Sequence, residues 1–526
     1  MPHPSGKLGA RTGPRAGAPR RYPGRRQGRH PVAFVPLTIE DGPAAPAKQR
    51  QLYDQIRAHI LSGRLAGGMR LPATRGLARE LGCARNTVLS AYDLLLAEGY
   101  LNGAHGSGTY VSHVLPDQFL SLEARAAPTA AEALPAQGHA ALSRRGQALA
   151  GVSTQTWAPG GAFKLGPDTS RFPFEAWGRM LGRTWRRPHG ELLSHGDPAG
   201  YRPLREAIAD YLRAVRALRC DWHQVVITSG VQQALDLVVR ALLDPGEAVW
   251  CEDPGYRGLR GPLTAAGANI VPVPVDAEGL SVTAGRERAP QARLAVVAPS
   301  HQFPLGVVMS LTRRLELLDW ARTANAWVLE DDYDSEYRYA GRPLAALQGL
   351  EAARGGDRVI YAGSFSKVMF TSLRLGYLVV PEALVEPLTR ARAALEEHPS
   401  AVIQPALASF IAEGHFAGHV RRMRARYAAR QEALIEAADK HLDGLITLAP
   451  DEAGMHLVAR FSPALRKRMS DGQAESRARA AGVQVSALSN YAMETRLEPG
   501  LLLGYAAVAE AAIEDGVRRL AAALTD

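Results

Sequence analysis

The stretch YAGSFSKVMFTSLRLGYLVVP, residues 361–381, places a lysine between two apolar segments and an arginine seven residues after it. Lysine is rare in this chain, because only six of its 62 basic residues are lysines and the others are arginines. An arginine side chain stays protonated, whereas a lysine amine can lose its proton and attack a carbonyl group. Lys367 is therefore a candidate for covalent chemistry that arginine cannot perform.

Apolar segments typical of strands recur on both sides of this stretch and alternate with helical patterns such as VQQALDLVVRALL and LTRRLELLDWARTA. Strands of this kind, separated by helices, predict an α/β fold with a mostly parallel sheet covered on both faces. From about residue 404 the pattern is richer in helix and predicts a smaller α+β lobe. The strand candidates are QVVITSG, EAVWCED, RLAVVAPS, AWVLEDD, RVIYAGS and RLGYLVV.

Polar groups follow several of these strands directly. In open α/β sheets, ligands bind at the carboxyl ends of the strands, so these groups are candidates for one site. A helix that begins just after a strand also offers free backbone N–H groups to an anion. The candidates are Gly230, Val231, Gln232, Asp331, Tyr333, Ser364, Lys367 and Arg374.

This combination suits pyridoxal phosphate (PLP). The aldehyde of PLP needs a lysine amine, its ring nitrogen needs a carboxylate, and its phosphate needs helix N–H groups, hydroxyls and an arginine. Taken singly, each group has an ordinary interpretation, such as a surface lysine, a turn aspartate or a strand–helix boundary. Their order along the chain, each just after an apolar strand, favours the cofactor site.

A compact unit precedes this region. Leu52, Ile56 and Ile60 recur at steps of four and predict one helix, and LPATRGLARELG predicts a second. CARNTVLSAYDLLLAEGY predicts a third amphipathic helix, and YLNGAHGSGTYVS predicts a small hairpin. Three helices and a hairpin are the parts of a winged helix-turn-helix, a DNA-binding unit.

Charge and composition divide the chain into four parts. The net charge is +10, and residues 1–39 hold eight basic residues and no acid. A basic tail favours non-specific attraction to DNA phosphates, but a solvated tail explains the composition equally well. We predict a disordered basic tail at 1–45, a winged helix-turn-helix at 46–113, a linker at 114–158 and the α/β domain at 159–526.

Composition also argues against several classes of protein. No apolar run approaches about 18 residues, so no transmembrane helix is predicted, and the N-terminus lacks the apolar core of a secretory signal. Three scattered cysteines indicate a reducing cytoplasm with neither a disulfide frame nor a metal site.

Two family resemblances now stand out. Residues 48–112 nearly fill the pattern LPxxRxLAxxLGxxRxTVxxAYxxLxxEGY…GxGTxV of the GntR family of winged-helix repressors. Residues 160–526 resemble fold-type I, class I aminotransferases, and the combination is similar to the MocR subfamily of bacterial regulators. The resemblance implies a transcriptional regulator that senses PLP, or its adduct with an amino compound, and controls genes of vitamin B6 or amino-acid metabolism. It also implies double-stranded operator DNA as a partner and a domain-swapped, head-to-tail homodimer.

The resemblance assigns roles around the cofactor ring. Lys367 matches the lysine that forms the internal aldimine with PLP, and Asp331 matches the aspartate at the pyridine nitrogen. Tyr333 matches the tyrosine that reaches the 3-oxygen of the cofactor. Tyr256, in EDPGYRG, matches the aromatic residue that stacks on the ring.

The phosphate group and the far side of the ring are assigned in the same way. Ser364, Arg374 and the segment Gly230–Gln232 match the phosphate-binding groups. His301 and Gln302, in PSHQFP, fall where such enzymes carry an asparagine near the ring.

The DNA-binding residues come from the same comparison and from the physics of groove recognition. A recognition helix presents the side chains of its first turn to base edges, and an arginine there can pair with guanine through two hydrogen bonds. The matched positions are Arg75, Arg85, Asn86, Thr87, His105 and Gly106.

A working aminotransferase with an appended DNA-binding unit is the alternative. Class I enzymes hold the substrate carboxylate with an arginine late in the chain, and that position falls near Leu502, with Arg496 as a possible substitute. Relatives that bind an amino acid carry an arginine two residues after the stacking tyrosine, where this chain has Gly258. Both departures favour a regulator.

Overall fold

The computed structural model describes residues 36–40, 42, 45–104, 108–115, 142–152, 161–188, 190–340 and 344–525. The chain divides between residues 140 and 141 into two compact units. Most of the predicted tail and most of the predicted linker lie outside the described residues.

The N-terminal unit contains the three predicted helices, Lys48–Leu61, Thr74–Glu80 and Arg85–Ala97. The apolar face of the first helix is buried, since Leu52 and Ile56 are at most 1% exposed. They pack against Val88, Ala91, Tyr92 and Leu95 of the third helix in one core. Burial of these side chains is the main stabilising contribution to so small a unit.

An antiparallel hairpin follows, formed by β1 (Leu101–Ala104) and β2 (Gly108–Val111). Residue 70 adds a further bridge, opposite Tyr110. Together these elements confirm the predicted winged helix-turn-helix. His105 and Gly106 lie outside the described residues.

The second unit is built on an eight-stranded sheet with the order β3-β10-β9-β8-β7-β4-β5-β6. Its five neighbouring strands β9, β8, β7, β4 and β5 are parallel, whereas β10 is antiparallel to both of its neighbours. The predicted mostly parallel sheet is therefore confirmed. The strands are β3 (Val225–Thr228), β4 (Ala248–Asp253), β5 (Asn269–Asp276), β6 (Gly279–Leu280), β7 (Leu294–Val297), β8 (Trp327–Asp332), β9 (Val359–Ser364) and β10 (Gly376–Val379).

Helices cover both faces of this sheet. Alternate residues of a strand point to opposite faces, so Val225 and Ile227 of β3 belong to one core and Val226 to another. The described helices of this unit are Arg144–Ala150, Phe174–Arg186, Arg202–Arg216, Val231–Leu242, Arg260–Ala266, Val282–Arg288, Leu311–Thr323, Leu347–Ala353, Glu382–Glu396, Gln404–Ala412, His415–His441, Pro463–Arg468, Asp471–Ala480 and Glu510–Thr525.

The C-terminal lobe has its own antiparallel sheet and its own core. Its strands, β11 (Ile446–Leu448), β12 (His456–Phe461), β13 (Ser486–Ala487) and β14 (Gly500–Gly504), follow the order β11-β12-β14-β13. The long helix His415–His441 and the last helix pack against this sheet. The predicted smaller α+β lobe is thus present. Among the described residues, no helix is long and apolar enough to span a membrane.

Candidate functional site

A cavity of about 730 Å³ lies at the carboxyl ends of the central strands. The register places Asp331 of β8 beside Ala362 of β9, and Ser364 of β9 beside Gly376 of β10. The sheet therefore gathers groups that are far apart in sequence, as predicted. Those in the cavity wall are Val231, Gln232, Tyr256, Asp331, Tyr333, Ser364, Lys367 and Arg374.

Lys367 and Asp331 face this cavity in an environment that disfavours charge. Burial lowers the pKa of Lys367, although Asp334 and Asp331 oppose the shift. Burial also raises the pKa of Asp331 to about 7, with Asp332 and Asp334 adding to the effect. A nucleophilic amine must be neutral, and a lowered pKa makes the lysine release its proton more readily.

The raised pKa of Asp331 predicts how stability depends on pH. Its carboxyl binds a proton more tightly in the folded chain than at its ordinary value of 3.8, so stability of the cofactor-free protein falls as pH rises from about 4 to about 7. Asp331→Asn removes this loss. The variant is expected to melt at a higher temperature than wild type, by more at pH 8 than at pH 5, and to bind PLP more weakly.

Thermal melts of the cofactor-free proteins at the two pH values measure this effect. Asp357→Asn, at an exposed side chain, is the control for loss of a carboxylate. A variant that melts below wild type at pH 8 would show that Asp331 stabilises the empty site instead.

An anion-binding corner lies at one end of the cavity. Gly230, with φ +100°, is the N-cap of helix Val231–Leu242. Glycine has no side chain, so it offers no capping group to the first N–H groups of the helix. Arg374 adopts a left-handed backbone, with φ +50°. Its guanidinium lies 3.6 Å from the position that a Cβ on Gly230 would occupy. A helix N-terminus beside an arginine is suited to a phosphate group.

Two serines complete this corner. The Ser364 hydroxyl accepts a hydrogen bond of 3.2 Å from the Ser366 backbone N–H. The Ser366 hydroxyl, which is buried in the cavity wall, has no hydrogen-bond partner among the described residues. Because an unpaired buried hydroxyl is costly, a ligand oxygen at this place would stabilise it.

Tyr256 lies across the cavity and is held by the anion-binding corner. Its hydroxyl accepts a hydrogen bond of 2.9 Å from the Gln232 amide. Gly258 leaves room for this contact, since a Cβ at residue 258 would lie 2.3 Å from the Tyr256 ring. An arginine at residue 258 is therefore incompatible with this position of Tyr256.

His301 and Gln302 are buried outside the cavity wall, unlike the other predicted cofactor residues near the ring. The Gln302 amide donates to the backbone oxygens of Pro254 and Phe303 at 2.8 and 2.7 Å, and so holds its own loop. His301 contacts the Tyr333 hydroxyl at 3.0 Å. Phe303, in the same segment, lines the cavity instead.

Glu252 lines the cavity but was not predicted from the sequence. It lies near the carboxyl end of β4, within the strand candidate EAVWCED, so its place near the end of an apolar strand was the signal that could have found it. Burial raises its pKa to about 8. Its carboxylate accepts hydrogen bonds of 3.2 Å from the Ala298 N–H and from Gln302.

The position near Leu502 carries no charge. Leu502 is fully buried, in an apolar cluster with Leu488 and Tyr491. Arg496 is exposed and does not line the cavity. The cations of the cavity wall are instead Lys164, Arg257, Arg260, Lys367 and Arg374, and Arg260 donates to the carbonyl groups of Tyr491 and Ala492.

The cavity residues fit PLP. The lysine amine suits its aldehyde, the Asp331 carboxylate suits its ring nitrogen, and the unpaired Ser366 hydroxyl, Arg374 and the uncapped helix suit its phosphate. These groups converge on one cavity of sufficient volume for such a molecule.

The N-terminal unit presents a separate basic surface. Arg85 and Asn86, at the start of the third helix, are exposed, and Thr87 is half-buried. Arg75 and Arg85 border one surface depression together with Arg79. The sequence analysis missed Arg79, although its spacing of four residues from Arg75 places both on one helix face. Three guanidinium groups on one face suit a phosphate backbone.

Comparison with known proteins matches both parts of the chain. Residues 48–111 match the model for bacterial regulatory proteins of the gntR family, and residues 168–520 match that for aminotransferase class I and II. The chain is 41% identical to the probable rhizopine catabolism regulatory protein MocR of Rhizobium meliloti, over 93% of this chain and 96% of that protein. It belongs to the MocR subfamily of GntR-type transcriptional regulators.

Other members of the MocR subfamily align over nearly their whole length. The pyridoxine biosynthesis regulator PdxR of Corynebacterium glutamicum is 32% identical, over 90% of this chain and 95% of its own. Among solved structures, LysN of Thermus thermophilus, an α-aminoadipate aminotransferase complexed with N-(5'-phosphopyridoxyl)-L-leucine, has a TM-score of 0.63 at 29% identity. The match covers 69% of this chain and 92% of LysN. The predicted fold-type I aminotransferase-like domain of this MocR-type regulator is confirmed.

Proposed function

We propose that this MocR-type regulator binds PLP covalently at Lys367 and binds operator DNA through its winged helix, with PLP changing its affinity for that DNA. The regulated genes belong to vitamin B6 or amino-acid metabolism. Support for the proposal comes from the cavity around Lys367, from the basic face at Arg75 and Arg85, and from the family to which the chain belongs.

Each cavity residue has a defined role in holding the cofactor. When bound, PLP supplies an electrophilic carbonyl carbon and an electron-withdrawing ring. The Lys367 amine, whose pKa is lowered by burial, would react with that carbon. Asp331 would hold the proton of the ring nitrogen, and Arg374 would pair with the phosphate. Tyr256 would lie against the ring.

One observation carries the choice of a regulator over an enzyme. Transamination needs the substrate carboxylate to be fixed, so that the reacting Cα–H bond lies at the correct angle to the ring. Leu502 is buried among apolar side chains, and Gly258 lies under the Tyr256 ring. Neither of these positions can hold the carboxylate, and orientation in favourable cases contributes about 7–11 kcal/mol to lowering a barrier.

Turnover tests this proposal. Amino transfer from L-amino acids to keto acids is expected to be slower than about 0.01 s⁻¹, which is a hundredfold below the lower end of the roughly 1–10³ s⁻¹ of ordinary enzymes. Single-turnover spectroscopy on the PLP-loaded protein, with an active class I aminotransferase run in parallel, measures it. Turnover of about 1 s⁻¹ or faster would favour the enzyme.

The remaining parts of the proposal concern assembly and location. We infer a head-to-tail homodimer that presents two winged helices to two operator half-sites, with the linker at 114–158 allowing the exchange between subunits. A small amino compound that reacts with bound PLP is the proposed second ligand. The three cysteines, Cys83, Cys220 and Cys251, are unpaired, which suits a reducing cytoplasm.

A further inference from the structure

His301 joins the large domain to the C-terminal lobe behind the cofactor cavity. One ring nitrogen, Nδ1, lies 3.0 Å from the Tyr333 hydroxyl and 3.0 Å from an Asp334 carboxylate oxygen. The other, Nε2, lies 3.3 Å from a carboxylate oxygen of Asp451, which comes from the segment between β11 and β12 of the C-terminal lobe. The ring is 2% exposed.

The charge of His301 fixes which groups donate. Burial alone would lower its pKa, but the carboxylates of Asp334 and Asp451 raise it to about 10. The ring is therefore an imidazolium, and both nitrogens donate hydrogen bonds. The single Nδ1–H is shared between the Asp334 carboxylate and the Tyr333 oxygen, which both lie 3.0 Å away, and the Tyr333 O–H remains available to a ligand in the cavity.

Two glycines hold the ring and its C-terminal partner in place. A Cβ on Gly454 would lie 2.1 Å from His301 Cε1, and a Cβ on Gly306 would lie 2.3 Å from Asp451 Oδ2. Both glycines have positive φ, +92° and +76°. The Gly454 carbonyl also accepts a hydrogen bond of 2.9 Å from Tyr505. The C-terminal segment is thus closely fitted around the imidazolium.

We propose that His301 is a positioning residue that transmits occupancy of the cofactor cavity to the C-terminal lobe, by holding Tyr333 with one ring nitrogen and Asp451 with the other. This inference rests on the proposed binding of PLP. When a ligand oxygen accepts a hydrogen bond from the Tyr333 O–H, it polarises this hydroxyl. The Tyr333 oxygen then becomes a better acceptor for the His301 N–H. The imidazolium is closely packed against Gly454 and has polar contacts at both nitrogens, so a shift at Tyr333 is passed on to Asp451.

Asp451→Asn tests the remote end of this link. Asp451 does not line the cavity, so PLP affinity is expected to stay within about twofold of wild type. Hydrogen exchange of residues 449–455 is the decisive readout. In wild type, PLP is expected to slow exchange there by about tenfold, the effect of strengthening one charge-assisted contact, and in Asp451→Asn this protection is expected to disappear.

His301→Gln tests the end at the cavity, with His456→Gln as its matched control. His456 is a buried neighbour of His301, with ring centres 5.6 Å apart. It donates to the Pro304 carbonyl, whereas His301 donates to the carboxylates of Asp334 and Asp451. His301→Gln is expected to weaken PLP binding by about tenfold, to shift the absorption maximum of bound PLP and to remove the protection at 449–455. His456→Gln is expected to keep all three properties.

The outcomes separate this inference from the proposed function. Wild-type protein that fails to bind PLP would overturn both. Wild-type protein that binds PLP without slowing exchange at 449–455, or an Asp451→Asn variant that keeps the protection, would overturn the inference alone. If His301→Gln does not fold, the Asp451→Asn result decides.

Discussion

Replacing Lys367 with alanine is expected to abolish the visible absorption band of the purified protein and the borohydride-fixed cofactor on the peptide around residue 367. The cavity places this amine beside Asp331 and the anion-binding corner, where burial lowers its pKa. Alanine keeps the fold of the turn but has no amine to react with the PLP aldehyde. Near-ultraviolet and visible absorbance, followed by peptide mapping after reduction, is the measurement.

Lys164→Ala is the matched control, because Lys164 also lines the cavity. Loss of a positive charge from the wall should leave the band and the labelled peptide unchanged. A Lys367→Ala protein with an undiminished band, or a wild-type label found on Lys164, would show that the wrong amine has been assigned.

The second large effect is expected at Arg85. This residue is exposed at the start of the third helix, where a side chain reaches base edges. Arg85→Ala is expected to weaken operator binding by about 1–3 kcal/mol and to relax base preference. An operator is first found by selection from random duplexes. Fluorescence titration then measures the affinity for this operator and the affinity for a scrambled duplex of equal length.

Arg50→Ala provides the comparison for charge alone. Arg50 is exposed on the first helix and pairs with Asp54 at 3.2 Å. Removing this guanidinium is expected to weaken binding to operator and to scrambled DNA by a similar factor, smaller than the factor for Arg85→Ala. The ratio of the two affinities is expected to stay unchanged. If Arg85→Ala also preserved that ratio, Arg85 would contact phosphate and not bases.

Local patterns were sufficient to predict the elements around the site. The steps of four at Leu52, Ile56 and Ile60 predicted a helix because its buried face repeats at that period, and all three side chains are buried. Likewise, Asp331 and Lys367 were found from sequence because each follows an apolar strand, and parallel strands end at the same edge of a sheet.

Contacts between distant segments could not be predicted in this way. His301, Asp334 and Asp451 form one cluster only when the C-terminal lobe packs against the large domain. His301 was predicted near the cofactor ring from its family position, whereas its imidazole lies behind Tyr333. The space that Gly258 leaves for the Tyr256 ring could not be predicted either. The spacing of the two residues in the sequence does not show that the Tyr256 ring packs against residue 258.

PLP at Lys367 is proposed to change the affinity of the protein for DNA. Operator affinity measured on one protein preparation, first stripped of cofactor and then saturated with PLP, tests it most directly. We predict a change of about five- to 150-fold, the usual range for coupling between two sites, and no change for Lys367→Ala. Superimposable binding curves for wild-type protein with and without PLP would contradict the account.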